Sequence, residues 1–403
     1  MFAVGEFRAL WTAHALSVAG DQLARVALTV LVFDRTHSPA WTALTYALTF
    51  LPDLVGGPLL SGFADRFPRR WVMVAADLVR AALVAVMALP GQSVVALIVL
   101  LAIAQLLASP FAAARGAIMP AILPGDRLVV GTGVMSTTYQ LALVGGFGGG
   151  AAVVATLGIR DALLVDAATF VASAALVCAG VRAHRPPPAG TGSRRTWWGT
   201  LTAGFAVVMS DRRLRTLIGL ACVSGAYIVP EGLAVPYAAQ IHGGTQAVGW
   251  LLAANPAGTV VGVLAVKNFR PERRLTLLAP LAVVTCAVLL PTGLAPTLAV
   301  SVLLWFASGV GSAYNTIAQA AFVRVVPDHA RGQAGGLASS SLRVAQGVGV
   351  LAAGLLAEAF TPARVIAIAA LVGVVLAVVT GLAWHRAVAP ATGGVRPAAG
   401  QST

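Results

Sequence analysis

Only 14 acidic and 27 basic residues occur in this chain of 403, so a charge inside an apolar run requires an explanation. Asp21, Asp53 and Glu231 fall near the middle of such runs, and Arg25, Arg80 and Arg343 are cations of the same kind. A charge at the centre of a bilayer costs about 2.5–3.5 kcal/mol on insertion scales, so such groups are paired, face water or carry function. Asp21 and Arg25 are four apart and share a helix face. One reading makes them a static ion pair that fixes the helix. The other makes Asp21 a proton carrier, since a carboxyl that changes partners between two conformations can couple protons to motion.

Glu231 follows Pro230, and proline frees a backbone carbonyl and bends a helix, which can present the neighbouring carboxyl to a cavity. It could bind a proton or a cationic substrate, or pair with Arg343. Asp53, after Pro52, is a weaker case of the same kind. Arg343 could hold a carboxylate or meet an anionic substrate. Tyr46, Gln105, Tyr139, Gln140, Tyr227, Asn255 and Tyr314 are amphipathic or polar residues within apolar runs; they could line a cavity or make ordinary interhelical hydrogen bonds.

Several chemistries find no support. Cys178, Cys222 and Cys286 lie in apolar segments without CxxC or His-rich spacing, so neither metal nor disulfide is expected. The GGFGGG run at 145–150 lacks the Lys and Ser/Thr of a phosphate loop and reads as close helix packing. No cofactor is implied. An intramembrane enzyme would need acids and histidines clustered in large external loops, and the loops here are short.

The elements that must position these residues follow from hydropathy. With 58% apolar and 10% charged residues and mean hydropathy +0.86, the chain reads as an all-α polytopic membrane protein. A spanning helix needs about 20 mostly apolar residues. Twelve runs qualify: 9–33, 40–64, 71–90, 93–114, 131–157, 161–181, 216–240, 246–267, 275–293, 296–322, 333–359 and 363–385. With the N-terminus inside, 21 of the 27 basic residues lie in cytoplasmic segments and three in outer loops. That asymmetry places both termini in the cytoplasm. The net charge of +13 is spread between apolar runs, which suits orientation and contact with anionic membrane lipid and excludes nucleic acid.

A Pro- and Arg-rich stretch, HRPPPAGTGSRR, separates the first six runs from the last six. The organisation expected is a six-helix half at 1–185, a cytoplasmic linker with an interfacial helix at 186–213, a second half at 214–388 and a disordered tail at 389–403. Pro52/Pro256, Arg66/Arg270, Arg69/Arg273, Arg70/Arg274, Arg127/Arg331, Gly131/Gly335, Ser136/Ser340, Gly145/Gly349 and Gly150/Gly354 are all 204 apart. Six being even, such a duplication gives parallel repeats about an axis along the membrane normal.

The loop after the second run, SGFADRFPRRW at 61–71, carries Asp65 with Arg66, Arg69 and Arg70. Twelve spans, a basic central loop and this motif resemble the major facilitator superfamily over nearly the whole chain. Ala64, Asp65, Arg66, Arg69 and Arg70 match the usual GxLADRxGRR, while Ser61 and Pro68 replace glycines and Phe63 replaces Leu. FRALW (7–11), VAGDQL (18–23), LLVDAATFVASAALV in the sixth run and VPDHARGQAGG before the eleventh look like the macrolide-efflux and enterobactin-exporter branch. The resemblance implies a monomeric cytoplasmic-membrane transporter with two rocking halves, often a proton-driven exporter of a small drug-like or secondary-metabolite molecule. An importer or a non-transporting sensor would use the same fold. Asp65, Arg66, Arg69 and Arg70 would then act as a gating motif that breaks when the inner side opens.

Overall fold

The outermost helices expose stripes of large apolar side chains that water would not tolerate. The last helix alone leaves Leu371, Val375, Val379 and Leu382 more than half exposed, one turn apart along one face. A computed structural model describes residues 2–52, 56, 60, 67–183, 197–327 and 330–388. The described residues contain helices and turns, with ten helical spans long and apolar enough to cross a membrane. Two further runs were expected. Arg69–Met87 is a continuous 19-residue helix whose Arg69, Arg70, Asp77 and Arg80 make it too charged for an apolar criterion. The run at 40–64 is described only in part, beginning as Pro39–Ala47.

In chain order the first half contains α1 (Gly5–Thr36), α2 (Pro39–Ala47), α3 (Arg69–Met87), α4 (Val94–Leu106), α5 (Ala108–Ile122), α6 (Asp126–Leu157) and α7 (Ile159–Gly180). Next come α8 (Trp197–Ser210) and α9–α12, whose ranges are Arg212–Cys222, Ser224–Tyr227, Val229–Gly232 and Ala234–Gln240. The rest are α13 (Gly244–Val266), α14 (Pro271–Ala287), α15 (Leu298–Ser312), α16 (Tyr314–Val325), α17 (Arg331–Leu356) and α18 (Pro362–Val388). Starts are set by short polar side chains: Ser38, Ser93 and Asp211 accept backbone N–H groups at α2, α4 and α9. The α6–α7 corner turns on Gly158 at φ +88°, a conformation that a Cβ disfavours.

Several expected spans are broken, and three of the breaks have a visible local reason. The seventh divides into α9–α12 because Pro230 and Pro236 cannot donate, and Glu231 N–H bonds to Ile228 in a tightened turn. The fourth breaks at Leu107, where Pro110 removes the donor to Leu106. The tenth breaks at Ala313 without proline; there the Ser312 hydroxyl donates to the Gly309 carbonyl at 2.7 Å and competes with the ladder.

Within the first half α1 packs on α6 and α7, and α3 on α7. The interfaces between the halves pair α6 with α13 and α2 with α17. At the end away from the termini, Glu358 accepts from Ala40 N–H at 3.0 Å and from the Ser38 hydroxyl, capping α2 from the other half. Gly354 lies against Ala43, and Gly249 against Ala151. Toward the termini α6 stands open, with Val129 72% exposed. The two halves are therefore closed together at one end.

Candidate functional site

The helix carrying Asp21 and Arg25 touches most of the buried charge in the first half. The two side chains do not neutralise each other. Asp21 Oδ1 accepts from Arg80 Nη2 of α3 at 2.6 Å. The Arg80 guanidinium stacks 4.1 Å from the Phe170 ring centroid of α7 and has 3% side-chain exposure. Asp77, one turn earlier on α3, sits 4.0 Å from Arg80 and is fully buried. Among the described residues neither Asp77 oxygen accepts a hydrogen bond. Asp166 of α7 is also buried and lines the same small cleft as Asp21, Arg25 and Arg80. Its carboxylate lies against Gly20, where a methyl group would overlap it, so α1 needs glycine there to approach α7. The Thr169 hydroxyl donates to the Asp166 carbonyl at 2.7 Å and lies 3.3 Å from its carboxylate. Three carboxylates thus surround one guanidinium.

Arg25 turns to the other side. Its guanidinium stands 5.3 Å from the Tyr46 ring centroid and 5.8 Å from that of Phe147. The Tyr46 hydroxyl donates to the Glu231 carboxylate, joining α2 of the first half to the broken seventh span of the second. Both residues are buried. The proline-induced break thus presents Glu231 to the interface between the halves. Phe147 belongs to the GGFGGG run, which is helical throughout; Gly146 and Gly150 seat α6 on Gln22 and Leu23 of α1. That packing holds the aromatic floor under Arg25.

Farther toward the termini the second half has a largely apolar cavity of about 190 Å³ whose polar lining includes Asn315, Gln319 and Ser339. Asn315 Nδ2 donates to the Tyr227 hydroxyl at 2.6 Å, and Tyr314 donates to the Leu220 carbonyl at 3.0 Å. The α15–α16 break aims both residues inward from consecutive positions.

The sequence matches the Major Facilitator Superfamily profile over residues 10–313 and 232–402. The chain belongs to the major facilitator superfamily. It is 29% identical over 371 residues to the multidrug efflux pump Tap of Mycobacterium tuberculosis (strain H37Rv), covering 86% of each chain. It is 25% identical over 146 residues to macrolide efflux protein A of Streptococcus pyogenes, covering 34% of this chain and 35% of that protein. A bacterial homologue of the human lysosomal transporter Spinster, in an inward-facing and occupied conformation, superposes with TM-score 0.72. It shares 14% identity and covers 94% of this chain and 96% of that one. Membership of the superfamily makes the chain a multi-pass membrane transporter rather than an enzyme, with relatives that are efflux pumps.

In this major facilitator protein Arg25, Tyr46 and Glu231 meet on one side of α1, while Asp21 turns to Arg80. Glu231 accepts from the Tyr46 hydroxyl, and Arg343 lies on α17. Gln105 lines the cleft beside Asp21. Tyr227 and Tyr314 face the Asn315 region, 6.4 Å apart as an edge-on pair. Asn255 is buried, and its backbone packs on Gly309. Tyr139 and Gln140 sit on the open stretch of α6, Tyr139 at 42% exposure. Of the loop motif, Arg69 Nη1 donates to the Ala117 carbonyl at 2.8 Å, and Arg70 stacks on Trp71 and reaches Cys178. Asp53, Asp65 and Arg66 lie outside the described residues.

The site residues not singled out from sequence are Asp77, Asp166 and Asn315. Asp77 precedes Arg80 by three positions on one apolar helix, the same signal that drew attention to Asp21 and Arg25. His14 and Arg115, 101 residues apart, also meet in a part-buried contact that no sequence spacing signals.

Proposed function

We propose that this transporter is a proton-coupled exporter of small, partly apolar molecules, working by alternating access with both termini in the cytoplasm. The observation that carries the reading is the grouping of Asp21, Asp77 and Asp166 around Arg80. One guanidinium neutralises one carboxylate. Leaving a second and third ionised in a buried site costs several kcal/mol each, and bound protons are the available compensation. Such a cluster loads protons when it is closed off and releases them when a cavity wets it. The bond from Tyr46 to Glu231 closes the halves at the end away from the termini, so the conformation described is inward-facing in this reading. Identity to Tap over most of both chains supports export and a drug-like substrate.

The test is proton release from everted membrane vesicles containing the protein. Adding a transported antibiotic to a vesicle with an imposed proton gradient should collapse part of that gradient, in proportion to transporter content. Drug movement without any proton flux would sink the coupling; uptake into intact cells driven by the same gradient would reverse the direction.

A further inference from the structure

On the face that carries both termini, the second half has a cavity of about 310 Å³ between α9, α13, α14, α16 and α18. Arg213, Lys267, Arg274 and Arg324 line it, above an apolar wall that includes Ile317 and Trp384. Arg274 is fixed by donating to the Phe269 carbonyl at 2.9 Å and the Lys267 carbonyl at 2.7 Å. Arg213 is held by the Ala387 carbonyl at 3.3 Å. The side chains of Lys267 and Arg324 have no hydrogen bond or ion pair among the described residues. Among the described residues no acid lines the cavity, and nearby Asp211 is engaged in capping α9.

The 204-residue repeat supplies an internal control. The equivalent cavity of the first half contains Arg70, Ala121 and Gly180, which correspond to Arg274, Val325 and Trp384. There the protein provides its own anion: Glu6 lies 3.3 Å from Arg182. The residue 204 positions after Glu6 is Ser210, which carries no carboxylate. The second half carries Arg213, Lys267 and Arg324 where the first half has Ala9, Phe63 and Pro120, and Glu272 where the first half has Pro68. Four cations that meet no carboxylate among the described residues offer a site to an external anion.

We infer that this cavity binds the phosphate headgroup of an anionic phospholipid, with the glycerol and upper acyl chain against Ile317 and Trp384. Basic pockets between helices near a membrane surface suit such headgroups, because the phosphate meets several cations while its chains stay in hydrocarbon. The apolar wall argues for a lipid over free phosphate. The four cations argue against a zwitterionic headgroup, whose own ammonium would be repelled.

Native mass spectrometry of the full-length protein tests this, with equal amounts of phosphatidylglycerol and phosphatidylcholine of the same chain length. The wild type should retain phosphatidylglycerol preferentially. Lys267→Gln with Arg324→Gln should weaken that retention about tenfold, somewhat less than two full surface contributions because both side chains are exposed. Lys267→Arg with Arg324→Lys should preserve it, as should Arg182→Gln in the first half. Should the double Gln variant fail to fold, the wild type in about 0.5 M salt gives the same information, because screening should remove the preference. Equal retention of the two lipids, a preference that survives salt or the double substitution, or binding of inorganic phosphate in place of phosphatidylglycerol would each overturn the inference.

Discussion

Replacing Tyr46 by Phe removes one oxygen and keeps the ring over Arg25. The hydroxyl donates to the Glu231 carboxylate across the interface between the halves, and both groups are buried. Hydrogen bonds to charged groups contribute about 1.5–3 kcal/mol net. Opening the end away from the termini separates α2 from the seventh span, so the bond exists in one state and not in the other. A ligand or contact shifts a two-state equilibrium only by its differential free energy, and here the whole bond is differential. Loss of 1.5–3 kcal/mol corresponds to a shift of about 10- to 150-fold toward a state open at the end away from the termini. Spin labels at Leu157 and Trp250, both exposed on α6 and α13, would report it by pulsed electron resonance. The long-distance population should grow in Tyr46→Phe, and Glu231→Gln should shift it less, because the amide carbonyl still accepts the bond. An unchanged distance distribution in Tyr46→Phe refutes the assignment of this bond as the closing contact.

Asp77→Asn should leave membrane yield and melting temperature close to wild type while lowering proton release per drug molecule in vesicles, since Asp77 has no hydrogen-bonded partner to lose among the described residues. Asp21→Asn should behave differently, because it removes the charge that faces Arg80 at 2.6 Å. Breaking a buried pair costs about 3–5 kcal/mol, which should appear as reduced yield and a lower melting temperature in detergent. Gly20→Ala should destabilise by about 1–3 kcal/mol through overlap with Asp166 and Thr169. Thermal denaturation followed by size-exclusion chromatography measures all three, and a Gly20→Ala protein as stable as wild type would contradict the packing described for α1 and α7.

The span pattern was legible because the membrane imposes it: apolar runs about 20 residues long, separated by basic loops, leave few alternatives. The third span was legible too, although Arg69, Arg70, Asp77 and Arg80 weaken its hydropathy, because the loop motif marks where it starts. Partner choice was not legible. Sequence spacing makes Asp21 and Arg25 neighbours on one face, yet Asp21 bonds a residue 59 positions away. A four-residue spacing states which side chains could meet if nothing better were offered; packing on α3 offered Arg80. Proline next to Glu231 was readable as a bend. The break at Ala313 was not, since it arises from a hydroxyl that competes for a carbonyl and leaves no breaker in the sequence.

The divergence of Asp21 and Arg25 matters more to the proposed mechanism than their pairing would have done. A static pair would have closed helix α1 on itself electrostatically. As folded, one turn of α1 reaches the three-carboxylate cluster through Asp21, while the next turn reaches Tyr46 and, through it, Glu231 of the other half. The small cleft lined by Asp21, Arg25, Arg80 and Asp166 leaves about 10 Å³, roughly the room for one water, between the two branches. Protonating Asp21 would free Arg80 to compensate Asp77 or Asp166 and would leave Arg25 as the nearest uncompensated cation to Glu231. Proton occupancy in the first half would thereby alter the field on the hydrogen bond that holds the halves together. Coupling in this reading requires no long chain of intermediates, only one helix with two charged turns facing different partners. It follows that Arg25→Gln should uncouple the two events while preserving each. The Tyr46–Glu231 contact would still close the halves and Asp21 would still bind Arg80, but spin-label distances would no longer respond to pH. A pH response of wild-type size in Arg25→Gln would show that the two sites communicate by another route.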